Sequence, residues 1–174
     1  MTTTRADDHP SWWGDAIRGA VAGGVATWFM DLVTTGVQAS QSREDAAREL
    51  AARPNGQGST ANLVDLLVDR FDLDLDPSTR ATASQAVHYA LGMAPGAAYG
   101  IVRSRLPAAG AWRGMLYGLA LFALNDEWLN AALDLSGPPD AYPASSHVRG
   151  AVGHVALGIV TDAGLDVLGA SRPG

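Results

Sequence analysis

The sequence predicts an all-α polytopic membrane protein: four transmembrane helices in one bundle, with a partly helical extramembrane connection between the first and the second. Three observations carry this. The mean hydropathy of the 174 residues is only +0.04, yet it averages long Ala/Gly/Val/Leu runs with a polar block at 44–76 that holds much of the acid. The apolar runs are about as long as a bilayer is thick. His88, Gly92, Gly96 and Gly100 recur every fourth residue, as do Gly110, Gly114 and Gly118. That small-residue spacing lets membrane helices approach closely.

The elements follow in order within a single domain, 1–174. Residues 1–10 are polar and read as disordered, and Trp12 and Trp13 suit a membrane–water interface. The first span is about 16–37, with a Gly19-xxx-Gly23 pair and Asp31 interrupting its far third. Residues 38–83 form the outer connection. Within it, 43–53 reads as a short helix ended by Pro54-Asn55-Gly56, and 59–71 as an amphipathic helix lying on the membrane surface or capping the bundle. Asp72, Asp74 and Asp76 alternate with leucines but lack the glycine and distal Glu of a calcium loop, so they read as a solvated acidic turn. Asp76-Pro77 has the form of an N-cap followed by Pro at the first helical position.

The second span is about 84–103, with Pro95 placed to kink it and Arg103 and Arg105 closing it. The third is about 111–135, broken by Asn125, Asp126 and Glu127. Its glycine ladder lies near its start and that of the second span near its end, so the two are expected to meet in a tight hairpin. A Pro/Gly-rich loop, 136–146, leads to the fourth span, about 148–168, with Gly153, Gly158 and Gly164 along it.

Composition removes several function classes. There is no Cys, hence no disulfide, thiolate metal site or Cys nucleophile. A net charge of -6 gives no footprint for nucleic acid. No nucleophile elbow, Walker loop, dinucleotide fingerprint or zinc-protease helix is present. Nothing places a nucleophile beside a base, so no catalytic residue is assigned. No signal-peptide pattern opens the chain. Four spans put both termini on one side, with Arg5, Arg18, Arg103, Arg105, Arg113 and Arg172; the positive-inside rule makes that side cytoplasmic.

The candidate site comes from comparing depths. With alternating direction, Asp31 near the end of span one, His88 near the start of span two, Glu127 toward the end of span three and His154 near the start of span four fall in one layer. A charge at membrane depth costs on the order of 3 kcal/mol, so such groups turn inward and pair. Three readings stay open: mutual structural pairing; a divalent metal or proton site on His88, Glu127, His154 and Asp31; and a b-type haem with His88 and His154 as axial ligands, Gly92 and Gly158 leaving room for the macrocycle. Tyr99 reads as a packed side chain ahead of a hydroxyl on an interior path, Asp162 as a snorkelling acid ahead of the inner station of a proton path, His9 and His147 as solvated, and Asp126 and Asp166 as facing water or headgroups.

GAVAGGVA in span one, HYALGMAPGAAY from His88 to Tyr99, AWRGMLYGLALF opening span three, the SGPP loop and GAVGHVALG in span four together resemble the YagU-like family of small bacterial inner-membrane proteins, whose biochemical activity is unassigned. The resemblance implies four spans, an inner-membrane location and an association with acid tolerance. His88 and His154 lie inside the matching segments; Asp31 lies outside them. The partners implied are the lipid bilayer and, through the glycine ladders, a second copy or a larger membrane complex. A soluble helical bundle is the alternative that the low mean hydropathy leaves standing.

Overall fold

A computed structural model describes residues 11–170, and among them there are helices and turns but no strand. The expectations for 1–10, His9, Arg5 and Arg172 lie outside the described residues. Two antiparallel seams organise the fold. Helix α1 (Trp12–Gln38) packs along α4 (Pro77–Arg103), and α7 (Ala144–Val167) packs on α1 and on α5 (Met115–Leu121). Helices α2 (Arg43–Ala52) and α3 (Ser59–Phe71) cap the end where α1 finishes.

The seams are backbone against backbone. A Cβ on Gly96 would lie 2.6 Å from the Gly19 carbonyl oxygen, and one on Gly23 would lie 2.5 Å from that of Gly92. Gly114 and Gly118 are opposed in the same way by Gly158 and His154 of α7. The two ladders therefore do not meet each other. Gly92, Gly96 and Gly100 serve α1, and Gly114 and Gly118 serve α7.

The third predicted span needs the largest correction. The chain from Pro107 to Gly114 forms tight turns in which Trp112, Arg113 and Gly114 all have positive φ (56°, 55° and 81°), so α5 begins only at Met115. It then widens into a π-helical segment, Phe122–Leu129, and ends with one α-helical turn, α6 (Asn130–Ala132). Elsewhere local signals hold. Asp76 accepts from the amides of Ser78 (2.9 Å) and Thr79 (3.2 Å), with Pro77 opening α4. The Ser78 and Thr79 side chains, then the Thr79 amide, hold its carboxyl far below the usual carboxylate range. Helix α4 runs through Pro95 to Arg103.

The connection is docked rather than loose. Asn62 donates to the carbonyls of Leu135 (2.9 Å) and Pro54 (3.3 Å), and Ser145 donates to Asp45 (2.8 Å). Val64 and Val68 are the buried apolar side chains of α3, which packs on α4.

The bundle is inverted relative to a water-soluble one. Its buried side chains include Asp15, Thr27, Arg103, His154, Thr161 and Asp162. Among the described residues nine hydrophobic side chains are buried, of which Ala22, Tyr99, Leu165 and Ala170 form one cluster, while Ile17, Val21, Val25, Trp28 and Leu32 form an exposed stripe along α1. Helices α1 and α7 are each long and apolar enough to cross a bilayer, and their most apolar windows are only 22 % and 39 % buried.

Candidate functional site

Polar side chains gather at both ends of the bundle. At the capped end, α1, α2, α4, the π segment and the start of α7 enclose a cavity of about 320 Å³. A second chamber of about 250 Å³ shares Met30, His88 and Asp126 with it and reaches Thr27, near the middle of α1. Asp31, His88 and Glu127 line the outer chamber; His88 and His154 line the inner.

The four candidate residues do not bond to one another as one cluster. His88 gives its Nε2–H to Asp31 at 2.8 Å. Glu127 instead meets His147, its Oε1 2.6 Å from Nδ1. His154, buried on α7, gives its Nδ1–H to the Gly150 carbonyl at 3.0 Å, with Asp126 3.7 Å from the same nitrogen. His147 and Asp126, read from sequence as solvated, are thus parts of the site. His147 lies seven residues, two helical turns, before His154, and that spacing was the available signal. Among the described residues, no three His, Cys, Asp or Glu side chains gather so as to hold a metal ion.

The π segment explains how neighbouring acids reach different imidazoles. Adjacent Asp126 and Glu127 approach His154 and His147, which lie two turns apart on α7. Such wider helical turns are rare and recur at functional positions.

The roof is pinned by Glu49, 4 % exposed on α2. It accepts from Arg149 (2.7 Å), Gln41 (2.9 Å), Ser146 (2.7 Å) and Arg53. Burial by itself would push the Glu49 carboxyl up; the bonds from Arg149, Gln41, Ser146 and Arg53 outweigh it and bring it down to about 2.

The opposite end is closed by ion pairs. Asp162, read from sequence as a snorkelling acid, is fully buried and accepts from Arg103 Nε (2.7 Å) and the Tyr99 hydroxyl (2.9 Å). Arg103 also pairs with Asp166, and Arg113 lies 3.6 Å from Asp162. The Tyr99 ring stacks on Tyr117 with centroids 4.3 Å apart. Beside them, buried Asp15 accepts from Ser104 at 2.7 Å and from Arg105 at 3.2 Å. The two ends therefore differ: a cavity lined by imidazoles and carboxylates at one, buried charge pairs at the other.

Comparison with protein-family models, with curated proteins and with solved structures gave no match to this chain. The resemblance to the YagU-like family rests on the motifs quoted above.

Proposed function

We propose that the chain is a proton-responsive integral membrane protein. Its four long helical segments cross the bilayer, and its vestibule takes up and releases protons through imidazole–carboxylate pairs. The observation that carries the reading is the set of three such pairs, His88–Asp31, His147–Glu127 and His154–Asp126, around two adjoining cavities that share His88 and Asp126. Imidazole is the side chain that ordinarily changes charge between about pH 5 and 8. Four carboxylates and two guanidiniums share these walls, so three added protons would turn them from net negative to net positive.

Lipid as the solvent is supported by the inverted burial and by the two helices long and apolar enough to span. The arginines at the sealed end, Arg18, Arg103, Arg105 and Arg113, favour cytoplasmic termini. Placement in a bacterial inner membrane follows from the resemblance. Protons are favoured over a divalent metal because the donors stand in twos. They are favoured over haem because the His88 Nε2, an axial-ligand atom, is engaged by Asp31.

The test is amide hydrogen exchange of the full chain in lipid nanodiscs at about pH 5.5 and about pH 7.5. After correction for intrinsic rates, segments 122–132 and 144–154 should change protection between the two. The change should be lost when His88, His147 and His154 are all replaced by Gln. Identical corrected profiles for the unmodified chain would overturn the reading.

A further inference from the structure

We infer that His147 and Glu127 are the vestibule's resident proton-binding couple, and that their shared proton fastens the π-helical segment to the start of α7. The functional meaning rests on the proton-responsive reading; the evidence is separate and lies in the direction of hydrogen bonds.

His147 Nε2 is 3.0 Å from the Pro139 carbonyl oxygen, and its Nδ1 is 2.6 Å from Glu127 Oε1. A carbonyl oxygen only accepts, and so does an ionised carboxylate. A neutral imidazole has one N–H and one lone pair, so either tautomer would aim a lone pair at an oxygen. The pattern closes only with one further proton. Either the ring is imidazolium beside a carboxylate, or a neutral ring with Nε2–H accepts at Nδ1 from a protonated Glu127. Both forms hold the same number of protons.

The other two imidazoles make no such demand. His88 donates through Nε2 to Asp31, and His154 through Nδ1 to Gly150; each is complete as a neutral ring. Charged groups of both signs surround His147. The π segment brings Asp126, and the turn before α7 brings Asp140 beside Pro139. Glu49 of α2 is matched by Arg53 and by Arg149 of α7, and Asp31 of α1 by His88 of α4. Arg48 of α2 donates to the carbonyls of Asp140 and Ala141 in the same turn.

When the proton leaves to vestibule water, an imidazole lone pair faces a carboxylate at contact distance. The couple opens, and the π segment loses a tie to α7.

The experiment is nitrogen-15 NMR of the His147 ring with isotope-edited infrared of Glu127, on the full chain in nanodiscs at about pH 7.5, where free imidazole is mostly neutral. Two protonated ring nitrogens, or one with a protonated Glu127 carboxyl, support the couple. A ring with one N–H beside an ionised Glu127 overturns it, whatever hydrogen exchange shows. Glu127→Gln provides the second arm. Its amide can donate to Nδ1 while Nε2–H still serves Pro139, so the tie survives without the extra proton. In the unmodified chain, exchange of 122–132 should rise as pH is raised from about 7.5 to about 9.5 and the couple loses its proton; in Glu127→Gln that rise should disappear, and an unchanged rise would overturn the fastening. A flat profile in the unmodified chain between about pH 5.5 and 7.5, with the extra proton present, would instead overturn the proton-responsive reading and leave the couple standing.

Discussion

Arg103 of α4 and Asp162 of α7 meet at 2.7 Å with side chains 1 % and 0 % exposed, so the sealed end of the bundle is closed by a desolvated ion pair. Removing Arg103 takes the nearest cation from buried Asp162, with Arg113 farther off at 3.6 Å. Arg103→Met should cost about 3–5 kcal/mol, the usual penalty for breaking a buried pair. Arg103→Met with Asp162→Leu should cost less than the sum of the two single changes, because both charges of the pair leave the interior together. Denaturant unfolding in detergent micelles measures all three. Strict additivity would mean that the pair is not coupled.

The seam between α1 and α4 makes a second, opposed pair of predictions. A methyl on Gly96 would lie 2.6 Å from the Gly19 carbonyl oxygen and 3.0 Å from the Gly23 Cα, both backbone atoms. Gly96→Ala must push the helices apart and should cost about 1–3 kcal/mol, as overpacking does. Gly36 lies on the same helix α1 with nothing within 4 Å. There Gly→Ala should stabilise by about 0.5–1 kcal/mol through helix propensity alone. Thermal midpoints moving in opposite directions confirm the seam; two losses of equal size would contradict it.

Glu49 gives the sign of an acid response. Its folded-state value, about 2, lies below the ordinary 4.5, so its contribution is present above about pH 4.5 and is lost as pH falls toward 2. A shift of that size corresponds to about 3.4 kcal/mol as an upper bound, less whatever solvent screening removes. Glu49→Gln should lower stability at neutral pH and flatten the decline between about pH 4.5 and 2. Melting temperature against pH, for the variant and the parent, checks both statements. Parallel curves would show that Glu49 does not set the acid limb.

The sequence made some of this legible and not the rest, for physical reasons. Asp76-Pro77 and Ser59–Phe71 were readable because caps and amphipathic spacing act within a few residues. The glycine ladders announced close packing but not partners, since both carry the same four-residue period and fit any similar face. The left-handed run Trp112–Gly114 has no local cause in Trp or Arg, which disfavour positive φ. It accompanies the approach of Gly114 to Gly158 and of Arg113 to Asp162, contacts made far along the chain. The π segment is silent for a related reason: eight residues are too few for apolar periodicity to separate it from an α-helix. Arg103 looked like a flanking interfacial charge because its partner, Asp162, is 59 residues away.

The last prediction concerns the solvent of the bundle itself. Trp28 is 55 % exposed on the apolar stripe of α1, near the helix middle, while Trp12 and Trp13 begin the same helix and stack on each other. A helix rises 1.5 Å per residue, so Trp28 lies roughly 23 Å along the axis from Trp13. In a spanning α1, variants that keep one tryptophan each should separate by depth. Lipids brominated at mid-chain should quench Trp28 more strongly than lipids brominated near the headgroup, and the order should reverse for Trp13. Equal quenching of both by either lipid would place α1 on the membrane surface or in water. The large apolar side chains outside and the charges inside would then need another explanation.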